Sequence, residues 1–261
     1  MMMLKNVSVG KQYIFCIAIV FAITLLLKAE SAFTAQELAV GFIEGRGNDA
    51  AVEKQAFEKA EVEYEVIGKD DYKLEHLLDF DVIAVGVVSY DQNEGLKANY
   101  KVLNEYVEKG GYLVTVDFQQ DSSWDQNFLP HPLKLFDDDL DGVQVILADH
   151  DIFKIPNEIT EKHFDIAFWG AGDFMADAPH EVKPPWEPLV TDKGNKWPLV
   201  VGAEAGSGYV VFNSLQILQA LGRAGHDEVA EVLQNFLFWH GPMAVRAEGK
   251  IATTWAKLKK Q

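Results

Sequence analysis

Asp81-Val82-Ile83-Ala84-Val85-Gly86-Val87-Val88-Ser89 is apolar at nearly every position. A strand with one wet face alternates polar and apolar residues, so an unbroken run predicts a central parallel strand covered on both faces. Upstream, Leu38 to Ile43 is a second short apolar run, ended by Glu44-Gly45-Arg46-Gly47 and followed by Asn48-Asp49 and a helical pattern carrying Val52, Ala56, Phe57 and Ala60. That order reads as strand, glycine loop, capped helix. Val62 to Ile67 alternates as a strand, and Leu74, Leu77 and Leu78 mark a short helix. Downstream, Leu96 to Lys109 is a helix with Tyr100, Leu103, Tyr106 and Val107 at helical spacing; Gly110-Gly111 stops it and Tyr112 to Phe118 is the next strand. Four strands separated by helical crossovers predict an α/β fold with a doubly wound, mostly parallel sheet.

Gln119 to Pro132 is too long for a simple turn, and such loops are usually functional or covering elements. Its polar start should sit over the strand ends, with Phe128 and Leu129 buried as anchors and Gln119 or Gln120 turned to the cleft. Val143 to Ala148 reads as a further strand, Leu199 to Val201 and Tyr209 to Asn213 as a hairpin about Gly206-Ser207-Gly208, and Asp227 to Trp239 as a last helix stopped by Gly241-Pro242. Residues 243–261 form a basic tail, with Trp255 and Leu258 as docking groups.

The chain has 261 residues, with 40 acidic against 23 basic side chains and a net charge of −17. Such an acidic surface repels phosphate backbones, which argues against nucleic acid as a partner. Lys5 and Lys11 precede Tyr13 to Leu27, apolar except for Thr24, and Ala29 and Ser31 are small residues suited to a cleavage site. Residues 1–31 therefore read as a signal peptide cleaved after Ser31, or as an uncleaved anchor, although the 15 apolar residues fall short of the ~20 that span a bilayer. Either way the domain, residues 32–242, is expected to be exported, periplasmic or extracellular, with membrane contact only through an uncleaved signal. Cys16 is the sole cysteine, so the mature chain would hold no thiol for disulfides, zinc or nucleophilic catalysis.

Tyr106 to Val114 with its Gly110-Gly111, Leu129-Pro130-His131-Pro132, Asp149-His150-Asp151-Ile152-Phe153, Pro156 to Thr160 with Phe164, Trp186-Glu187-Pro188-Leu189 and Gly206 to Val211 together resemble the class I glutamine amidotransferase-like superfamily. They are most similar to the ThuA-like proteins and to the domains found beside PIG-L-type sugar deacetylases. The resemblance covers about residues 38 to 240 and implies a flavodoxin-like sheet with a C-terminal β-hairpin and helix. It also implies where this chain departs. Catalytic members place a cysteine on a glycine-flanked elbow after a central strand, with a His-x-Glu pair later; here the strand runs into Gln119-Gln120-Asp121-Ser122-Ser123, and His240 is followed by Gly241-Pro242. No thioester route is open without a thiolate, and the His-Pro-Asp-Asp zinc motif of the deacetylases is absent.

Other chemistry is weaker still. Ser122 and Ser123 lack the small neighbours that a nucleophile elbow requires. Asp137-Asp138-Asp139-Leu140-Asp141-Gly142 opens like a calcium loop, but its twelfth position is Ala148 and a strand follows, so a solvated acidic turn is the better reading. The seven histidines show no zinc spacing; His150 reads as a turn residue seating Ile152 and Phe153. A Gly45-Arg46-Gly47 anion cradle would be opposed by Glu44. No cofactor, metal or catalytic residue is expected.

Ligands of open α/β sheets bind beyond the carboxyl ends of the strands, at the topological switch point. Those ends carry Glu44, Tyr90, Asp91, Asp117, Gln119 and Gln120, a mixture of carboxylates, amides and aromatic rings suited to a polyhydroxylated ligand, with Tyr90, Trp124 or Trp169 as stacking faces. Asp117 and Glu44 merely capping helices or pairing with loop amides is the equal alternative. The leading expectation is a non-catalytic domain binding a carbohydrate or cell-envelope glycan. A sugar hydrolase using Glu44 and Asp117, and an interaction module marked by an exposed apolar patch, are the alternatives; the hydrolase needs both carboxylates in one open cleft, about 5 to 9.5 Å apart.

Overall fold

The computed structural model describes residues 38–119, 124–136, 138–140, 142–170, 175–178 and 180–240. The signal segment, the basic tail, Gln120 and Ser122-Ser123 lie outside them, as do Asp137 and Asp141 of the acidic turn.

Eight strands form one sheet in the order β2-β1-β3-β4-β10-β9-β8-β6. Val40–Ile43 (β1), Glu65–Val66 (β2), Val82–Val85 (β3), Tyr112–Thr115 (β4) and Gly208–Asn213 (β10) run parallel; Val145–Leu147 (β6), Glu187–Asp192 (β8) and Pro198–Ala205 (β9) complete the sheet through antiparallel pairs. The order 2-1-3-4 is the doubly wound arrangement that the apolar runs predicted, with its switch point between β1 and β3. In β3 every residue is buried, but the side chains divide: Val82 and Ala84 join one core, Ile83 and Val85 the other. Alternation along the pleat thus feeds two hydrophobic layers, which is why the sequence shows no polar face.

Ala50–Lys59 (α1), Ile217–Ala224 (α6) and Asp227–Phe238 (α7) cover the first layer through Phe57, Leu221, Leu233 and their neighbours. Leu74–Leu77 (α2) and Glu94–Glu108 (α4) cover the second with Leu77, Leu103 and Tyr106, and Asn93 caps α4 by accepting the Leu96 N–H. Between them lies the short Ser89–Gln92 (α3). The second layer continues under a two-stranded strap, Lys134–Leu135 (β5) against His180–Glu181 (β7), tied outside by Lys134 and Lys183 to Glu181. Ile166–Trp169 (α5) is a further short α-helix, after the 3-10 turns Asp151–Phe153 and Glu161–Phe164.

Three expectations are corrected. The strand beginning at Asp81 ends at Val85, because Gly86 to Val88 turn the chain. The strand expected over Val62 to Ile67 keeps only Glu65–Val66. The strand from Tyr112 ends at Thr115, although Val116, Asp117 and Phe118 continue buried. The helix Ile217–Ala224, the strand Glu187–Asp192 and the strap had no counterpart in the sequence reading. The turn at His150 is as expected: its Nδ1 accepts the Ile152 N–H, and Ile152 and Phe153 are buried.

Candidate functional site

The switch point lies between the loops Glu44–Gly47 and Gly86–Val88. Val88 is in the left-handed region (φ 57°), which costs a β-branched residue about 1–3 kcal/mol and must be over-determined by its surroundings. It is. Arg46 N–H donates to the Val87 carbonyl (3.2 Å), Ser89 Oγ donates among the carbonyls of Gly86 (2.8 Å), Glu44 (3.1 Å) and Ile43 (3.3 Å), and Asn93 Nδ2 donates to Glu44 O (2.9 Å).

The strongest bridge comes from Glu53 on α1, 1% exposed. Its carboxyl accepts Val87 N–H (2.8 Å) and Gly45 N–H (3.2 Å to each oxygen). Burial pushes it up to about 7, against the lowering effect of those two N–H groups; the charges of Asp49 and Glu44 push the same way as burial. The base of the crevice is therefore closed by a side chain of the protein itself.

The expected site residues separate into two groups. Asp117 is fully buried: Gln219 donates its backbone N–H (2.9 Å) and Nε2 (3.3 Å) to it, and burial holds its carboxyl far above the usual carboxylate range. It satisfies an orphan donor in the first turn of α6. Tyr90 is 2% exposed, its hydroxyl bonded to Thr115 Oγ1 (3.0 Å) and its ring packed by Trp124 (5.2 Å), Phe128 (5.8 Å), Phe212 (6.1 Å) and Phe118 (6.5 Å). It offers no stacking face. Asp91 is buried on α3, and Trp169 is buried elsewhere, stacked on Phe164. Asp117 and Glu44 do not face one open cleft, which corrects the pairing that a carboxylate hydrolase requires.

Glu44 and Gln119 remain half-buried at the rim. The structure adds Arg46, whose Nη2 donates to Gln119 Oε1 (2.8 Å) and whose Nε pairs with Asp49. The long loop docks by Leu129, which is buried, while Phe128 is only half-buried; Trp124 Nε1 donates to Leu133 O (2.7 Å). The sequence reading missed Glu53 and Gln219, and it weighed Arg46 only within the Gly45-Arg46-Gly47 anion cradle. Glu53 had a local signal, standing at i to Ala56, Phe57 and Ala60 at i+3, i+4 and i+7, a carboxylate on an apolar stripe.

Among the described residues no group of three or more His, Cys, Asp or Glu could hold a metal ion, and no helix is long and apolar enough to cross a membrane. Two shallow grooves, of about 330 and 430 Å³, flank Gly142–Val145 at the sheet's β6 edge, away from the strand ends.

No protein-family model matches the chain, and no curated protein does. Among solved structures, a candidate GMP synthase subunit from Thermoplasma acidophilum matches with a TM-score of 0.51 at 8% identity, over 87% of this chain and 99% of that one. The fold is glutamine amidotransferase-like. Weaker matches include a β-galactosidase from Rahnella sp. R3 (TM-score 0.45, 12% identity, 77% of this chain) and the carbohydrate deacetylase Agd3 (0.40, 11%, 72%). This chain spans 30% and 32% of their lengths.

In this chain β4 leads into buried Val116, Asp117 and Phe118, and Val88, after β3, is in a left-handed turn at the strand ends. Asp117 is accordingly expected to behave as a packing group. Asp117→Asn should cost less than Asp117→Ala, because its single amide oxygen can still accept the Gln219 N–H, whereas Asp117→Ala strands that N–H at a cost of about 1–3 kcal/mol. Urea unfolding of both variants checks this; equal losses would contradict the capping role.

Proposed function

We propose that this is an exported, non-catalytic amidotransferase-like domain that binds a carbohydrate or related polyol at the rim of Glu44, Arg46 and Gln119. The observation that carries the reading is the Arg46–Gln119 hydrogen bond, which draws the loops after β1 and β4 into one half-buried polar rim above the switch point. A guanidinium, an amide and a carboxylate offer donors and acceptors to adjacent hydroxyls. The absence of a thiol among residues 32–261 and the burial of Asp117 and Tyr90 support a binding role over a chemical one. Export rests on the n-region, apolar run and small-residue exit within residues 1–31.

Calorimetric titration against a panel of neutral, acidic and amino sugars tests the reading. Arg46→Ala and Gln119→Ala are each expected to weaken binding at least tenfold, since a hydrogen bond involving a charged group contributes about 1.5–3 kcal/mol and 1.4 kcal/mol is one decade. No heat with any sugar, or affinities unchanged by both substitutions, would reject it.

A further inference from the structure

The crevice base is shaped around a carboxyl group. A β-carbon on Gly45 would overlap the Val87 carbonyl and crowd Glu53 Oε1, and one on Gly86 would overlap the same oxygen. The two N–H groups aimed there, from Gly45 and Val87, belong to the two loops that flank the switch point. At such a point loop N–H groups commonly meet a ligand; here they meet Glu53. We propose that Glu53 is a carboxyl latch across the switch point: its protonated form holds the Glu44–Gly47 and Gly86–Val88 loops together, and its ionised form releases them.

Burial of the Glu53 carboxyl sets the direction, against its two N–H partners, and the acids facing it add to the effect of burial. Glu44 and Asp49 face it from the loop after β1, Asp117 from the end of β4 and Tyr64 from the segment before β2. Arg46, the cation on that loop, is turned to Asp49 and Gln119. An ionised Glu53 in the closed crevice is therefore dehydrated and faces the charges of Asp49 and Glu44 with no cation paired to it, while an open loop lets it meet water and titrate near its ordinary 4.5. Closed at about 7 and open at 4.5, the latch is fully stabilised below pH 4.5, and that stabilisation is lost as pH rises through 7. Opening should increase tenfold per pH unit between those limits and level off above them. Because Arg46 and Glu44 ride on the released loop, the rim would loosen with it, but the latch itself holds whatever the rim binds.

Hydrogen exchange on the full chain, corrected for the intrinsic rate, tests it. The amides of Gly45 and Val87 are expected to lose about 80-fold in protection from pH 4.5 to pH 7 and about twofold more by pH 9, within a full range of about 300-fold set by the ~2.5 units between the two values. The amide of Ile83, in the middle of β3, should not follow, and Glu53→Gln should flatten the profile. Should that variant fail to fold, the ¹³C titration of the wild-type Glu53 carboxyl decides, with a midpoint near 7 expected. A flat wild-type profile, a slope that survives Glu53→Gln, Ile83 losing protection in step, or a carboxyl midpoint near 4.5 would overturn the latch. None of these readouts involves a sugar, so failure of the latch and failure of the rim as a binding site are separate results.

Discussion

His180→Leu is expected to remove most of a steep acid lability from this protein and to stabilise it at neutral pH. His180 faces inward from the strap, 2% exposed, with its ring edge-on to Phe212 at 5.0 Å and neither ring nitrogen hydrogen-bonded among the described residues. Burial alone pushes it down to about 3. The unfolded chain takes up a proton near pH 6.5 and the folded one does not until about 3. The stability is thus intact above 6.5 and falls by ~1.4 kcal/mol per pH unit below it, ~5 kcal/mol over the whole window. His150 and His240, also lowered by burial, act in the same direction; Glu53 and Asp117, raised by burial, oppose it. The difference between wild type and variant isolates His180. By denaturant unfolding it should widen by ~2 kcal/mol between pH 6.5 and 4.5, on top of the ~1–3 kcal/mol that unpaired buried nitrogens cost at neutral pH. A difference independent of pH would mean that the ring reaches solvent or a partner.

The central layer of this fold was legible because burial on both faces leaves a signal that no surface strand imitates. Val82–Val85 needs apolar residues in both directions, and the helices beside it need them only at helical spacing. The reading overran at Val87 and Val88, where local preference and tertiary structure disagree. Two β-branched residues favour a strand, yet the Ser89 hydroxyl, the Arg46 amide and the Glu53 carboxyl fix a turn there. The strap was invisible for another reason. Two-residue strands have no period, and Leu135 and His180 meet across more than forty residues.

The candidate site was legible in its position and much less so in its occupants. Tyr90 and Asp117 do lie at strand ends, but what they do there is decided by Phe212 and Gln219, about a hundred residues downstream, and nothing local announces that contact. Polar residues at the mouth of a strand look alike in sequence whether they face a ligand or cap a helix. Gln119 kept its exposure because its partner, Arg46, belongs to the neighbouring loop of the same face. Glu53 was the readable residue passed over, since a carboxylate on an apolar helical stripe must be paired, protonated or both.

Phe212→Ala is expected to cost about 3–5 kcal/mol, the range for removing a large aromatic side chain from a core. Phe212 is fully buried, and the rings of Phe118 (5.0 Å), Trp124 (5.0 Å), His180 (5.0 Å) and Tyr90 (6.1 Å) converge on it. Each such pair adds about 0.5–1.5 kcal/mol beyond the area it buries, so its loss removes support from both the strap and the long loop. Phe128→Ala, at the half-buried margin of the same cluster, should cost less, since its neighbours can relax toward solvent. The cavity left at position 212 is lined by rings and should stay dry, so benzene is expected to restore part of the lost melting temperature. Thermal unfolding of both variants with and without benzene measures the ordering. A loss below ~1.5 kcal/mol for Phe212→Ala, or a larger loss for Phe128→Ala, would mean that the rings are loosely assembled. Tyr90 could then present its face at the mouth of the strands, and the carbohydrate site would have to be redrawn around that ring instead of the Arg46–Gln119 rim.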